Sequence, residues 1–462
     1  MTRPAPLNGI IPPRRLQPTP TDQARPLDVD SHNLQFLSKT FGSLQKWLSI
    51  FVRGRTPFAV LFAAVTAFKL LVSALVPPST DLAMIVSPQI TSLGSLSDPW
   101  SFLEAQMVVL WQLATSAQGV PLEYWTTSPF DMSLAMRMLS VFIRLPALAC
   151  DIAIAGSIYV MVRTIANSLE KARLACILWF LNPFGILAIE VLAVPDVAAT
   201  FLLLAASLLL VRRKDARAGL SFGAGVALKL FPILLLPSLV SYVGNLGSRF
   251  RVRGYLIAAG LLGLVGYFAW LFPGGVFSPR LLIDYTPVTQ PVRVIVEFTP
   301  GGRVSAVTFM LVILYFAIFR FARGSNLLVS DTILPVLLVY YAFSAPQPQY
   351  FLWTLPFLIL DIALVERRHL ALLSAMLTLV LVSWFINSLG YLTPSGYSFL
   401  MFPLKTPTAP PFSAALNQFL SSNSTTAVLL PAINGALFAT VLIYALEIVR
   451  GWFRKPSNLA SG

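Results

Sequence analysis

Apolar runs of roughly 17 to 25 residues, long enough to cross a hydrocarbon layer as helices that satisfy their own backbone, recur along the whole chain. They fall near residues 57–76, 139–162, 174–193, 196–211, 254–272, 303–320, 328–344, 350–365, 369–389 and 427–449, and predict ten spans. Between them lie short basic segments, "RRKDAR" (212–217), "RFRVR" (249–253), "RFARG" (320–324), "ERRH" (366–369) and "RGWFRK" (450–455). Lysine and arginine in short loops mark the cytoplasmic side, so the alternate loops are expected outside. From Leu70 to Met136 there is no lysine or arginine, but there are Asp81, Asp98, Glu104, Glu123 and Asp131, which puts the long loop 77–136 outside. The pattern predicts an all-α polytopic membrane protein.

One apolar segment breaks the parity of this count. "GLSFGAGVALKLFPILLLPSLVSYV" (219–243) is strongly basic on both flanks. Proline lacks a backbone donor and disfavours helix at the residue before it, so the central "LKLFP" is expected to split the segment into two half-helices. The halves either enter and return as a hairpin or form an ordinary span with one basic flank outside. Within loop 77–136, "FLEAQMVVLWQLAT" (102–115) reads as a helix in the membrane interface, with Leu103, Met107, Leu110 and Ala114 sharing its apolar face. Residues 1–56 are polar and proline-rich and read as a disordered cytosolic tail, 57–449 as the membrane domain, and 450–462 as a cytosolic C-terminal tail.

Composition agrees with this. At 462 residues, 56% hydrophobic and 11% charged, with mean hydropathy +0.75, the chain is far too apolar for a soluble domain, in which about 25% of residues are charged. The net charge of +14 reports topology, and no nucleic-acid partner is expected. Two cysteines, Cys150 and Cys176, and two histidines, His32 and His369, supply neither a disulfide framework nor a Cys/His metal site, and no cofactor is expected.

Polar groups inside spans cost at least about 2.5–3.5 kcal/mol at a helix centre, so each is a candidate functional residue. Lys69 lies in the first span, and either snorkels or enters the protein. Arg137, Arg144 and Asp151 recur every seven residues on one face of the second span, either as a packing stripe or as part of a site. Glu190 and Asp196 flank the short connection "VLAVP". Asp196 follows Pro195 and is also placed to cap a helix. The outward loop 273–302 carries Arg280 and Arg293 against the usual charge bias, which calls for an anionic partner such as lipid phosphate. The uncharged "SAPQPQYFLW" (344–353), with Gln349 and Tyr350, sits at a span entrance either as the rim of a site or as part of an aromatic belt.

The stretch "QYFLW" (349–353) resembles a motif of the catalytic subunit of glycosylphosphatidylinositol (GPI) mannosyltransferase I and related GT-C membrane glycosyltransferases. The order upstream is similar: Asn182–Pro183 in a span, Asp196 opening the next, a basic loop, a glycine-rich half-helix, then Lys229, Phe231 and Pro232, with Asp151 matched in the second span. The resemblance covers residues 140–355 with gaps. It implies a GT-C fold and transfer of a sugar, with mannose expected, from a polyprenyl or dolichyl phosphate carrier to a lipid-linked acceptor such as a GPI precursor on the non-cytoplasmic face. The implied partners are that donor, that acceptor, membrane lipids and a small accessory subunit. The implied location is the endoplasmic reticulum membrane in a eukaryote and the cell membrane in an archaeon or bacterium.

By this resemblance Asp81 is the candidate base; Lys69, Arg280 and Arg293 are candidate phosphate ligands; Gln349 and Tyr350 are candidate sugar or headgroup contacts. Asp151, Asp196 and Lys229 carry over as matched positions. The family's Asp-x-Asp pair is incomplete, because "STDLA" places Ala83 where the second acid would stand. One carboxylate can still deprotonate a hydroxyl while a cation stabilises the leaving phosphate. Two readings of other classes remain: a transporter or lipid flippase, whose sites also use charged spans and broken helices, and a non-catalytic subunit of a glycosyltransferase complex.

Overall fold

In the computed structural model the described residues are 50–75, 99–115, 133–191, 194, 196–229, 231–245, 249–271, 295–299, 302–321, 332–343, 348–364, 372, 374–380, 382 and 424–454. The chain divides into two units, Met1–Phe51 and Val52–Gly462, and every element named below lies in the second. The tail expected at 1–56 falls almost wholly outside the described residues.

The helices are α1 (Arg55–Leu75), α2 (Pro99–Thr115), α3 (Leu134–Ala166), α4 (Leu169–Phe180), α5 (Pro183–Ile186) continued by a π turn (Leu187–Val191), α6 (Asp196–Val211), and α7 (Asp215–Leu228). A 3-10 turn (Phe231–Leu235) then leads into α8 (Leu236–Asn245), followed by α9 (Arg249–Leu271), α10 (Ala306–Phe321), α11 (Leu334–Phe343), α12 (Pro348–Leu364) and α13 (Ser424–Arg454). A small antiparallel hairpin, β1 (Ile295–Thr299) with β2 (Gly302–Ser305), pairs Val296 with Val304 and Glu297 with Arg303. It leads directly into α10, so the span expected from residue 303 begins at Ala306. The fold is an all-α polytopic membrane architecture carrying that one hairpin.

α1 and α3 are each long and apolar enough to cross a membrane alone, and α4 with Pro183–Glu190 forms a pair bent by 45° that is either a broken span or a re-entrant loop. Several further apolar helices have 10–17 residues. Local chemistry sets the boundaries. Ser133 caps α3 by accepting from Met136 N, Asn167 takes a left-handed φ of 49° to end it, and Ser168 caps α4 by accepting from Lys171 N. The basic turn after α6 closes with Lys214 N donating to Leu209 O and Arg213 N to Leu210 O, a Schellman arrangement with Arg213 at φ 60°. The bend between α4 and α5 is held by Asn182, whose Oδ1 accepts from the N–H groups of Phe184 and Gly185 at 2.9 and 3.1 Å. This explains the asparagine-proline: proline starts α5 and the side chain before it caps the helix.

The break expected at "LKLFP" is present, with α7 ending at Leu228 and the 3-10 turn starting at Phe231. α7 packs on α6 and α9, while α8 packs on α9 and α10. The glycines of α7 set how close α9 can come. A Cβ at Gly223 would lie 2.9 Å from both Ala259 O and Leu262 Cβ, and one at Gly219 would lie 3.0 Å from Tyr255 O. Small residues at such a crossing let two backbones approach in a membrane.

α12 is enclosed on all sides. Every residue from Phe351 to Leu360 is buried, and α12 packs against α3, α4, α6 and α11. A helix apolar all round belongs in an interior. The "FLW" of the motif therefore packs in the core, and the reading of this segment as an aromatic belt fails for Phe351 and Trp353. α1 is the opposite case, burying only Val65, Lys69 and Ser73 along one stripe. In α2 the packed face carries Trp100 and Trp111, with Trp111 Nε1 donating to Ala135 O at 2.9 Å. Of Leu103, Met107, Leu110 and Ala114, expected together on one apolar face, Met107 is half-buried and the other three are exposed.

Candidate functional site

Two buried polar clusters draw together residues far apart in sequence. The first joins α1, α3, α4 and the π turn. The stripe Val65, Lys69, Ser73 at intervals of four faces α3, so the Lys69 side chain enters the protein rather than snorkelling. Its Nζ donates to Asp151 Oδ2 at 2.6 Å and lies 3.1 Å from Glu190 Oε1. Trp179 Nε1 donates to Asp151 Oδ1 at 2.8 Å, and Lys69 Nζ sits 5.0 Å from the centre of the Phe180 ring.

The Lys69 and Glu190 side chains are 0% exposed and that of Asp151 is 1%. The Lys69–Glu190 contact is an ion pair without hydrogen-bond alignment, and Glu190 Oε2 has no hydrogen-bond partner among the described residues. The stripe expected along α3 resolves differently for each member. Asp151 pairs with Lys69, whereas Arg144 is buried and its Nη1 donates to Ser140 O on its own helix. Arg137 is half-buried.

The second cluster joins α6, the α7 break and α12. Asp196 opens α6 and is 1% exposed. Its Oδ2 accepts from Lys229 Nζ and its Oδ1 from Trp353 Nε1, both at 2.5 Å. Lys229 can reach because the chain leaves helix at that residue, with φ −155° and ψ 139°. Phe231, just past the break, stacks on Trp353 with ring centres 3.8 Å apart and planes 4° apart. Lys229 is the one partly open member, its side chain 25% exposed. The matched positions Asp196 and Lys229 are thus brought together by the structure.

Both oxygens of Asp151 and both of Asp196 are therefore engaged in bonds between helices. Such carboxylates hold spans together, and at 0% and 1% exposure neither Asp151 nor Asp196 meets solvent. Lys69, expected as a phosphate ligand, is enclosed and faces two carboxylates, so an anion could reach it only by displacing one of them. Asp81, Arg280 and Arg293 lie outside the described residues. Gln349 and Tyr350 lie in the first turn of α12, where the backbone alone is described. Among the described residues no group of three or more His, Cys, Asp or Glu side chains is arranged to hold a metal ion.

Residues 62–277 match the family model described as GPI transamidase subunit PIG-U, a membrane family of the GPI-anchor pathway. No curated protein and no solved structure matches the chain. The matched segment contains Lys69, Asp151, Glu190, Asp196 and Lys229, while Trp353 lies beyond it. This match overturns the expectation of a mannosyltransferase using a dolichyl phosphate mannose donor, because the similarity is to a transamidase subunit. The GPI-anchor pathway and the membrane setting are the parts of that expectation that the match retains. Sequence order had already brought out Asp196, Lys229 and the "QYFLW" segment. It missed Trp179 and Trp353 as indole donors, although a tryptophan in an apolar run beside unexplained acids is the signal to look for.

Proposed function

We propose that the chain is a non-catalytic membrane subunit of a complex of the GPI transamidase type, resident in the endoplasmic reticulum membrane. The match to the PIG-U family model over residues 62–277 carries this reading. The geometry is in keeping with it, since the ionisable groups of the two clusters are spent on joining helices: Lys69 to Asp151 and Glu190, and Asp196 to Lys229 and Trp353. A subunit of this kind contributes a rigid membrane scaffold. Its partners are the other subunits of the complex, and a sugar donor is not among them.

The test is affinity purification of the full chain from mild-detergent extracts of its own membranes, followed by mass spectrometry. The reading expects other transamidase subunits in near-stoichiometric amounts. Recovery of the chain alone, or with glycosyltransferase subunits instead, would sink it.

A further inference from the structure

We propose that residues 215–245 enter and leave the membrane on the cytoplasmic side as a hairpin, and that the two basic stretches flanking it form one cationic surface for anionic phospholipid headgroups of that leaflet. This goes beyond the proposed subunit role and does not depend on it.

Paired contacts give the direction of each helix. Along α6 and α7, Asp196 meets Lys229, Leu202 O accepts from Ser221 Oγ at 2.8 Å, and Gly225 faces Ala199 O, so these two helices are antiparallel. Lys229 therefore stands at the start of α6, about 24 Å from the basic turn at its other end, at a rise of about 1.5 Å per residue. α7 and α9 are parallel, because Gly219 lies against Tyr255 and Gly223 against Ala259 with an unchanging offset. The same register sets Arg253 level with Arg217. α8 brings the chain back, since Tyr242 near its end lies within electrostatic reach of Arg213 and Asp215. The chain thus leaves the basic turn along α7, returns to it along α8 and sets out again along α9, which selects the hairpin over a single span. Its tip is held by Lys229 on Asp196, by Phe231 stacked on Trp353, and by Tyr315 Oη of α10 donating to Leu234 O at 2.6 Å.

Charge and depth select the occupant. Arg212, Arg213, Lys214, Arg217 and Arg253 are exposed, and the half-buried Asp215 is the single carboxylate of segments 212–217 and 249–253. This excess of cations, on the side that the loop charges assign to the cytoplasm, suits negatively charged headgroups. One turn into the membrane from Arg217 stands Leu220, and one turn in from Arg253 stands Ile257, both exposed and on the same helix faces as the cations. A headgroup at the two arginines therefore has its acyl chains beside Leu220 and Ile257. An acidic cytosolic protein would match the charges but would leave those apolar side chains to lipid. A zwitterionic headgroup brings no net charge to the surface.

The experiment uses the full chain with Cys150→Ala/Cys176→Ala and has two readouts. In sealed membrane vesicles, Lys214→Cys and Arg253→Cys should react with an impermeant maleimide from the same side; reaction from opposite sides would overturn the hairpin and with it the shared surface. In nanodiscs, Leu220→Cys carries a bimane, and brominated phosphatidylserine should reach half-maximal quenching at a several-fold lower content than brominated phosphatidylcholine. High salt should weaken that preference, and Arg217→Gln/Arg253→Gln should remove it. Bimane at Phe309→Cys, near the start of α10 and remote from its basic turn, should show no preference. Equal quenching of Leu220→Cys by the two lipids, a preference untouched by the arginine substitutions, or the same preference at Phe309→Cys would overturn the proposal.

Discussion

Replacing Lys69 with methionine removes the one cation that, among the described residues, faces Asp151 and Glu190. The three side chains are 0%, 1% and 0% exposed, so neither carboxylate can rehydrate when the ammonium is lost. Asp151 keeps the 2.8 Å bond from Trp179, while Glu190 loses its charged partner altogether. Breaking a buried pair by removing one member typically costs about 3–5 kcal/mol, because an uncompensated charge remains inside. At about 2 °C per kcal/mol, the lower end for larger chains, the thermal midpoint should fall by about 6–10 °C. The assay is loss of the monodisperse peak with temperature for the detergent-solubilised full chain. Lys69→Met/Asp151→Asn/Glu190→Gln removes the stranded charges and should recover most of the loss. A single variant within about 2 °C of the parent would refute the reasoning, as would a triple variant no better than the single, given the expected magnitude.

The second cluster predicts an order of effects. Lys229→Met leaves the Asp196 carboxylate 1% exposed with the indole alone, so a loss of about 3 kcal/mol or more is expected. Asp196→Asn keeps an acceptor for Trp353 and leaves a lysine whose side chain is already 25% exposed, so about 1–2 kcal/mol is expected; the reverse order in thermal midpoints would contradict this. At the α7–α9 crossing, Gly223→Ala should cost about 1–3 kcal/mol, since the added carbon would meet backbone at 2.9 Å. Gly260→Ala, with nothing within 4 Å of the new carbon, should be neutral or stabilising by up to about 1 kcal/mol; equal losses at both positions would argue against the close crossing.

Much of the architecture was readable from hydropathy. α1, α6 and α12 lie within two residues of the runs read from the sequence, because a span needs a continuous apolar length and its ends are marked by polar groups. The helix break at Lys229 followed from proline chemistry, whereas the cap at Asn182 emerged only in the structure. The pairings were not readable. Periodicity places Asp151 on a face of α3 but cannot say that α1 and α4 are the helices it faces, 82 and 28 residues away. Trp353 meets Asp196 across 157 residues, a separation that no local pattern encodes. The functional expectation failed for a related reason. A five-residue motif and an ordered set of single-residue matches do not fix an activity, and in this chain the matched carboxylates Asp151 and Asp196 are occupied in holding helices together.

The most direct test of the account follows the lipid pathway itself: depletion of this chain in its own cells, with chromatographic analysis of GPI lipids beside a GPI-anchored reporter. A subunit of a transamidase-type complex acts after the lipid is assembled, so fully mannosylated GPI should accumulate while the reporter remains unattached. Arrest of the lipid before its first mannose would contradict the account and return the chain to sugar transfer.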